Sequence, residues 1–170
     1  MNLPTTVDAL PYLASEKNVA MFEKHGVLMR EEIASRTEIY LQDYCKKIHI
    51  ESITMTDMTR RMILPAITAY VNELAETSLR VKELGLTGND DVLTELTKLY
   101  DKIVKADKRL AHATDALEKM PDGLEKAKIL RDRILPAMER LRAVVDKAEL
   151  LTAAKHWPMP TYANLLFSEN

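Results

Sequence analysis

The chain has 170 residues, 46% hydrophobic and 29% charged, which excludes a disordered polymer and bounds the molecule at one domain or one domain with an appendage. Lys plus Arg total 24 against 26 for Asp plus Glu, so a formal charge of −2 gives no electrostatic case for nucleic acid or an anionic membrane. Four Gly, nine Met and two Phe suit helices better than sheets, and the one cysteine, Cys45, rules out an intrachain disulfide or a multi-cysteine metal site.

Residues 1–28 are short and punctuated. They lack the basic-then-apolar order of a secretory signal, and no later apolar run approaches the ~20 residues that span a bilayer. With the single thiol, this sets the expectation of a soluble protein in a reducing compartment, the cytoplasm. Thr6 is placed to cap a turn starting at Val7, with Pro11 limiting its extent. Ser15 is placed to start a helix that Gly26 ends in the left-handed conformation glycine tolerates.

From Met29 the spacing predicts a helix with Ile33, Tyr40, Leu41, Tyr44, Cys45 and Ile48 on one face. Lys47-Ile48-His49-Ile50 alternates, which predicts a break or sharp bend. A second long helix then runs from about Ile50 to Leu84. Met55, Met58, Met62, Ala66 and Ala69 line one side of it, and Ile63, Ile67, Tyr70, Val71 and Leu74 an adjacent one. A helix apolar over so much of its circumference is expected at the centre of its bundle. Gly85 and Gly88 close it.

Residues 90–119 carry the cleanest pattern. Leu93, Leu96, Tyr100, Ile103, Asp107, Leu110, Thr114 and Leu117 recur at alternating three- and four-residue steps, a heptad seam with two polar positions. Pro121-Asp122-Gly123 is a turn. A last helix runs from Leu124 to about Lys155, with Ala127, Leu130, Ile134, Ala137, Met138, Leu141, Val144, Val145, Ala148 and Leu151 inward. The architecture predicted is all-α: an antiparallel bundle of three to four long helices over residues 29–156. A short helical N-terminal section, 1–28, precedes it and an extended Pro/aromatic tail, 157–170, follows.

Ile63-Leu64-Pro65-Ala66 recurs as Ile134-Leu135-Pro136-Ala137, each inside a helical run. Proline there removes a hydrogen bond and clashes with the preceding turn, costing ~3 kcal/mol. The match predicts paired kinks, or helix starts after a short non-helical step.

A catalytic, cofactor-binding or metal constellation does not emerge. His25, His49, His112 and His156 are far apart and form no Glu-x-x-His or His-x-x-x-His pair, and the inward positions are Leu, Ile, Met and Val. Cys45 has His49 four residues on as a conceivable base, but reads first as a buried small hydrophobe. Isolated glycines supply no phosphate-cradling loop. Asp107 reads either as a buried acid or as a residue that pairs with a cation and fixes helix register. Two charge rows, Lys98-Lys102-Lys105-Arg109 and Glu125-Asp132-Glu139-Asp146, read as complementary docking faces or, preferentially, as solvated exterior. The tail carries Trp157, Tyr162, Leu165, Leu166 and Phe167. It is expected to fold back around Leu10, Leu13 and Phe22 or onto a neighbouring subunit.

Several stretches together resemble the C-terminal portion of type III glutamine synthetases. They are Asn2-Leu3-Pro4-Thr5-Thr6-Val7-Asp8-Ala9-Leu10-Pro11, Glu16-Lys17-Asn18-Val19, Phe22-Glu23-Lys24-His25-Gly26-Val27-Leu28, Leu41-x-x-Tyr44-Cys45-Lys46 and Ile50-Glu51-x-x-Thr54-Met55-x-Asp57-Met58. Ile63-Leu64-Pro65-Ala66, Leu135-Pro136-Ala137-Met138-x-x-Leu141-Arg142 and Trp157-Pro158-x-Pro160-Thr161-Tyr162-x-x-Leu165-Leu166-Phe167 complete the order, around a generic helical middle at about 75–125. The resemblance implies a bacterial parent enzyme that ligates ammonia to glutamate with ATP and divalent Mg or Mn in a ring-based homo-oligomer. No segment matches that family's upstream carboxylate ligands or phosphate-binding arginines, so no catalytic residue carries over. Met1 directly before mid-family sequence is expected of an excised segment. The implied role is structural: packing against the catalytic domain of the same protein and shaping contacts with neighbouring subunits. A regulatory module gating the parent site, or a free-standing helical adaptor that binds a partner helix, are the alternatives.

Overall fold

A computed structural model describes residues 3–160 and 165–167. Among them there is no strand. Seven α-helices run in the order α1 (Thr6–Leu13), α2 (Glu16–Lys24), α3 (Arg30–Met58), α4 (Leu64–Glu83), α5 (Asp91–Asp115), α6 (Leu124–Ile129) and α7 (Leu135–Leu151). Two five-residue π turns, Thr59–Ile63 and Leu130–Ile134, join α3 to α4 and α6 to α7.

Two departures from expectation have clear causes. Thr5, not Thr6, caps α1: its hydroxyl accepts the Asp8 amide at 3.2 Å and donates to the Asp8 carboxylate, a reciprocal cap that requires an acid three residues on. The break expected at Lys47–Ile50 does not occur, because α3 continues through it to Met58. Cys45 and Ser52 are fully buried on either side of that stretch, and this packed face overrides the local alternation.

The interruption comes later, as the first π turn, and it explains the two apolar sides read from residues 55–74. Cys45, Ser52 and Thr59 are buried at seven-residue intervals; Ile63 and Ile67 then follow at steps of four and four. A regular seam alternates three and four, so the chain holds one surplus residue. The wide turn absorbs it, and the Leu64 amide bonds to the Thr59 carbonyl, five residues back. The buried stripe is therefore narrow, and Met62, on the other predicted side, is 39% exposed. The expected central position with burial all round does not hold for this helix.

Helix ends follow local chemistry. Gly26 (φ 63°) and Gly85 (φ 74°) sit just past α2 and α4 in the left-handed region. Val27 bonds back to Phe22 and Leu86 to Val81, closing the same hydrogen-bonded stop at both places.

The chain clusters into two compact units, Met1–Ile53 with Ala111–Ala137, and Thr54–Leu110 with Met138–Asn170. In the first, α3 runs antiparallel to the segment that leads out of α5: Cys45 meets Gly123 and Ser52 meets Thr114. Val7, Val19, Ile33, Leu117, Leu130 and Ile134 are among its buried core residues. In the second unit, α4 and α5 form an antiparallel hairpin. Lys82 bonds to Asp90 near the turn, Thr68 and Val71 share a cavity with Thr97 and Tyr100, and Arg60 meets Asp107 at the far end. Leu96, Ile103 and Leu110 are fully buried, as the seam required, and so is Leu141 of α7.

The last helix stops at Leu151, short of Lys155. Lys155 and His156 both bind the Glu73 carboxylate, at 2.7 and 2.8 Å, and His156 packs against Tyr70 with ring centroids 5.4 Å apart. This anchors the root of the tail. Beyond it Leu165, Leu166 and Phe167 are 64%, 70% and 79% exposed. Tyr162 lies outside the described residues.

Candidate functional site

The seam of α5 interrupts its leucines with Asp107 and Thr114, and burying either side chain unpaired would cost more than the apolar packing there returns. Both have partners. The Arg60 Nε–H donates to Asp107 Oδ2 at 2.7 Å; the carboxylate is 5% exposed and the arginine side chain 50%. The guanidinium therefore reaches in from the surface, and its polarity supplies what the apolar wall cannot. Asp107 Oδ1 is buried without a hydrogen-bond partner. Thr114 shares a 2.5 Å hydrogen bond with Ser52, and both residues are buried. Sequence spacing identified Asp107 and Thr114 but not their partners. Arg60 and Ser52 lie 47 and 62 residues away, and no local signal links them.

A second arginine forms a comparable centre. The Arg131 Nη1–H donates to Asp8 Oδ1 at 2.5 Å, while its Nε and Nη2 grip Asp132. The guanidinium holds the Asp132 carboxyl below its ordinary range, and the two carboxylates raise the arginine further. Asp8 thereby links the cap of α1 to the second π turn. Sequence reading passed over Arg131, although its position relative to Leu-Pro-Ala matches that of Arg60.

Cys45 is fully buried, as its reading as a small hydrophobe expects. The continuous helix meets the geometric condition for Cys45 and His49, but the Cys45 thiol points to the Gly123 carbonyl, 3.8 Å away, and burial pushes it up from its ordinary 9.0. A thiol held protonated is a poor nucleophile. His49 Nδ1 is buried with no partner. His156 is bound to Glu73, while His25 and His112 are exposed on separate elements. Among the described residues no three His, Cys, Asp or Glu side chains converge as a metal would require.

The charge rows behave mainly as solvated surface. Glu125 pairs with Lys128, Asp132 with Arg131, Asp146 with Arg142 and Lys98 with Glu95, all local contacts. The notable exterior is apolar: Ile39, Ile50 and Ile53 of α3 are 57%, 61% and 50% exposed, and Val27 and Met29 just before it are 61% and 62% exposed. Ile39, Ile50 and Ile53 are spaced by eleven and three residues, which puts them on one stripe of the helix. No described helix is long and apolar enough to cross a membrane.

A family model described as the glutamine synthetase C-terminal domain matches residues 1–82, from α1 to the end of α4. A glutamine synthetase of Butyrivibrio fibrisolvens is 37% identical over 172 residues, covering 98% of this chain. The chain belongs to the glutamine synthetase C-terminal domain family. The type-3 glutamine synthetase of Dictyostelium discoideum is 28% identical over 98% of the chain, and a glutamine synthetase of Bacteroides fragilis 27% identical over 99%. The chain spans about a quarter of the length of these curated relatives, 24% of each.

Proposed function

We propose that this chain is a structural and assembly domain with no catalytic site of its own, in a parent enzyme that ligates ammonia to glutamate with ATP and Mg or Mn. The rest of the polypeptide supplies the reacting groups. This domain packs against that catalytic body and contributes to contacts between subunits of a cytoplasmic homo-oligomer. The observation that carries the reading is the isoleucine stripe of α3, half or more exposed at Ile39, Ile50 and Ile53. Large aliphatic side chains on one face of a helix gain ~1.5–3 kcal/mol each when a partner covers them. The catalytic body is the partner the relatives' greater length supplies. The 29–156 region acts as the bundle, 1–28 as the connection to the catalytic body, and 157–170 as a strap whose exposed Leu165, Leu166 and Phe167 reach a neighbouring subunit.

The test uses the full-length enzyme. Changing Ile50 and Ile53 to Asp should shift its sedimentation from the assembled species to smaller ones, with synthetase activity lost in proportion. The same pair of changes in the isolated chain should leave its unfolding midpoint nearly unchanged. Full assembly and activity in the double variant would overturn the assembly role. Loss of activity in a fully assembled enzyme would instead make the segment part of the catalytic apparatus.

A further inference from the structure

The Ile-Leu-Pro-Ala match is part of a longer equivalence. In Thr59–Ala66 and in Leu130–Ala137, a five-residue π turn carries arginine at its second position and closes on a buried isoleucine, Ile63 or Ile134. Leu-Pro-Ala then opens an α-helix. The residue that follows each turn donates five residues back, Leu64 to Thr59 and Leu135 to Leu130. Each arginine crosses to an aspartate on another helix, Arg60 to Asp107 on α5 and Arg131 to Asp8 on α1. The buried seam skips a residue at the first site only; through the second turn Ala127, Ile134, Leu141 and Ala148 keep seven-residue intervals.

We propose that these segments are two copies of one conformational device. In it, proline keeps the π turn from closing to a regular α turn, and the turn aims its arginine at the aspartate. Proline has no N–H to complete the tighter turn, and its ring would press on the carbonyl four residues back. The wide turn relieves both, so the α alternative gains less than it would elsewhere. It also changes the direction in which the second position projects. Helix register, arginine direction and attachment of the neighbouring helix then form a single variable. In the second copy that neighbour is α1, whose capping Asp8 is the acceptor, so the register of Leu130–Ile134 sets how firmly α1 is held.

Two experiments on the 170-residue chain test this. Deleting Met62 removes the surplus residue and restores a regular helix. The deletion and Arg60→Met should each lower the urea midpoint by about 1–2 M, and together by no more than the larger single effect. A deletion that leaves or raises the midpoint, or effects that add, would overturn the coupling. The second experiment needs no deletion. Hydrogen exchange of α1 amides should quicken at least about tenfold in Arg131→Met and likewise in Pro136→Ala, with α4 unchanged. Exchange in α1 that is unaltered by Pro136→Ala would show that proline does not hold the turn; exchange unaltered by Arg131→Met would show that the arginine does not hold α1. Either result defeats the proposal.

Discussion

Arg60 and Asp107 are bonded to each other yet unequally buried, and the inequality predicts unequal consequences of removing them. Loss of Arg60 leaves a carboxylate that is 5% exposed without its cation, whereas loss of Asp107 leaves an arginine that is half exposed and able to turn to water. Arg60→Met should therefore approach the ~3–5 kcal/mol that breaking a buried pair costs, and Asp107→Asn should cost nearer ~1 kcal/mol, read from urea unfolding. Equal losses would mean that water already reaches the carboxylate. At apolar positions the contrast is simpler. Ile103→Ala or Leu141→Ala removes a fully buried side chain and should cost ~2–5 kcal/mol. Lys98→Ala and Glu139→Ala, on exposed faces, should each stay within about 0.5 kcal/mol. Spacing alone identified Ile103 and Leu141, because a core seam repeats in sequence. It could not identify the partners of Asp107 and Thr114, because a hydrogen bond between helices leaves no periodic trace.

Among the elements, α5 was the most legible and α3–α4 the least. Buried Leu96, Ile103, Leu110 and Leu117 keep an unbroken seven-residue period, so the helix and its inward face follow directly from the residues. In α3–α4 the surplus residue splits one stripe into two apparent ones, and a method that assumes 3.6 residues throughout reads a wide apolar face. The break expected at Lys47–Ile50 failed for a related reason: alternation over four residues is a weak signal against a helix whose Cys45 and Ser52 are packed. The helix stops make a separate prediction. Gly85 has open space where a Cβ would lie, so Gly85→Ala meets no clash, and its cost is that of φ 74° alone. That is about 1–2 kcal/mol, checked by thermal unfolding, and Gly85→Asn should recover part of it.

For the molecule as a whole, pH dependence follows from exposed carboxylates held by cations. Glu73 is lowered by hydrogen bonds from Lys155 and His156, Asp90 by Lys82, Asp132 by Arg131 and Glu16 by Arg30. Each is more acidic folded than unfolded, so the unfolded chain binds protons first as pH falls. Their contribution is complete above the ordinary values of 4.5 for Glu and 3.8 for Asp, and is lost as pH drops through the lowered ones. The melting temperature should decline below about pH 4.5, and Glu73→Gln should flatten that decline. Because these groups face water, added salt of about 0.5 M should flatten it as well.

Cys45 lies in one compact unit and Trp157 in the other, and the chain has one of each residue type. The molecule therefore carries two native reporters that cannot be confused, one chemical and one optical. Thiol labelling in rising urea follows the first unit, and indole emission follows the second, without any substitution or dye. Helices α3, α5 and α7 each pass from one unit into the other without leaving helical conformation, so the two readouts should trace a single superimposable curve. Separate midpoints would mean that each half of the sequence can fold and fail by itself, and that the three shared helices are able to melt part-way along their length.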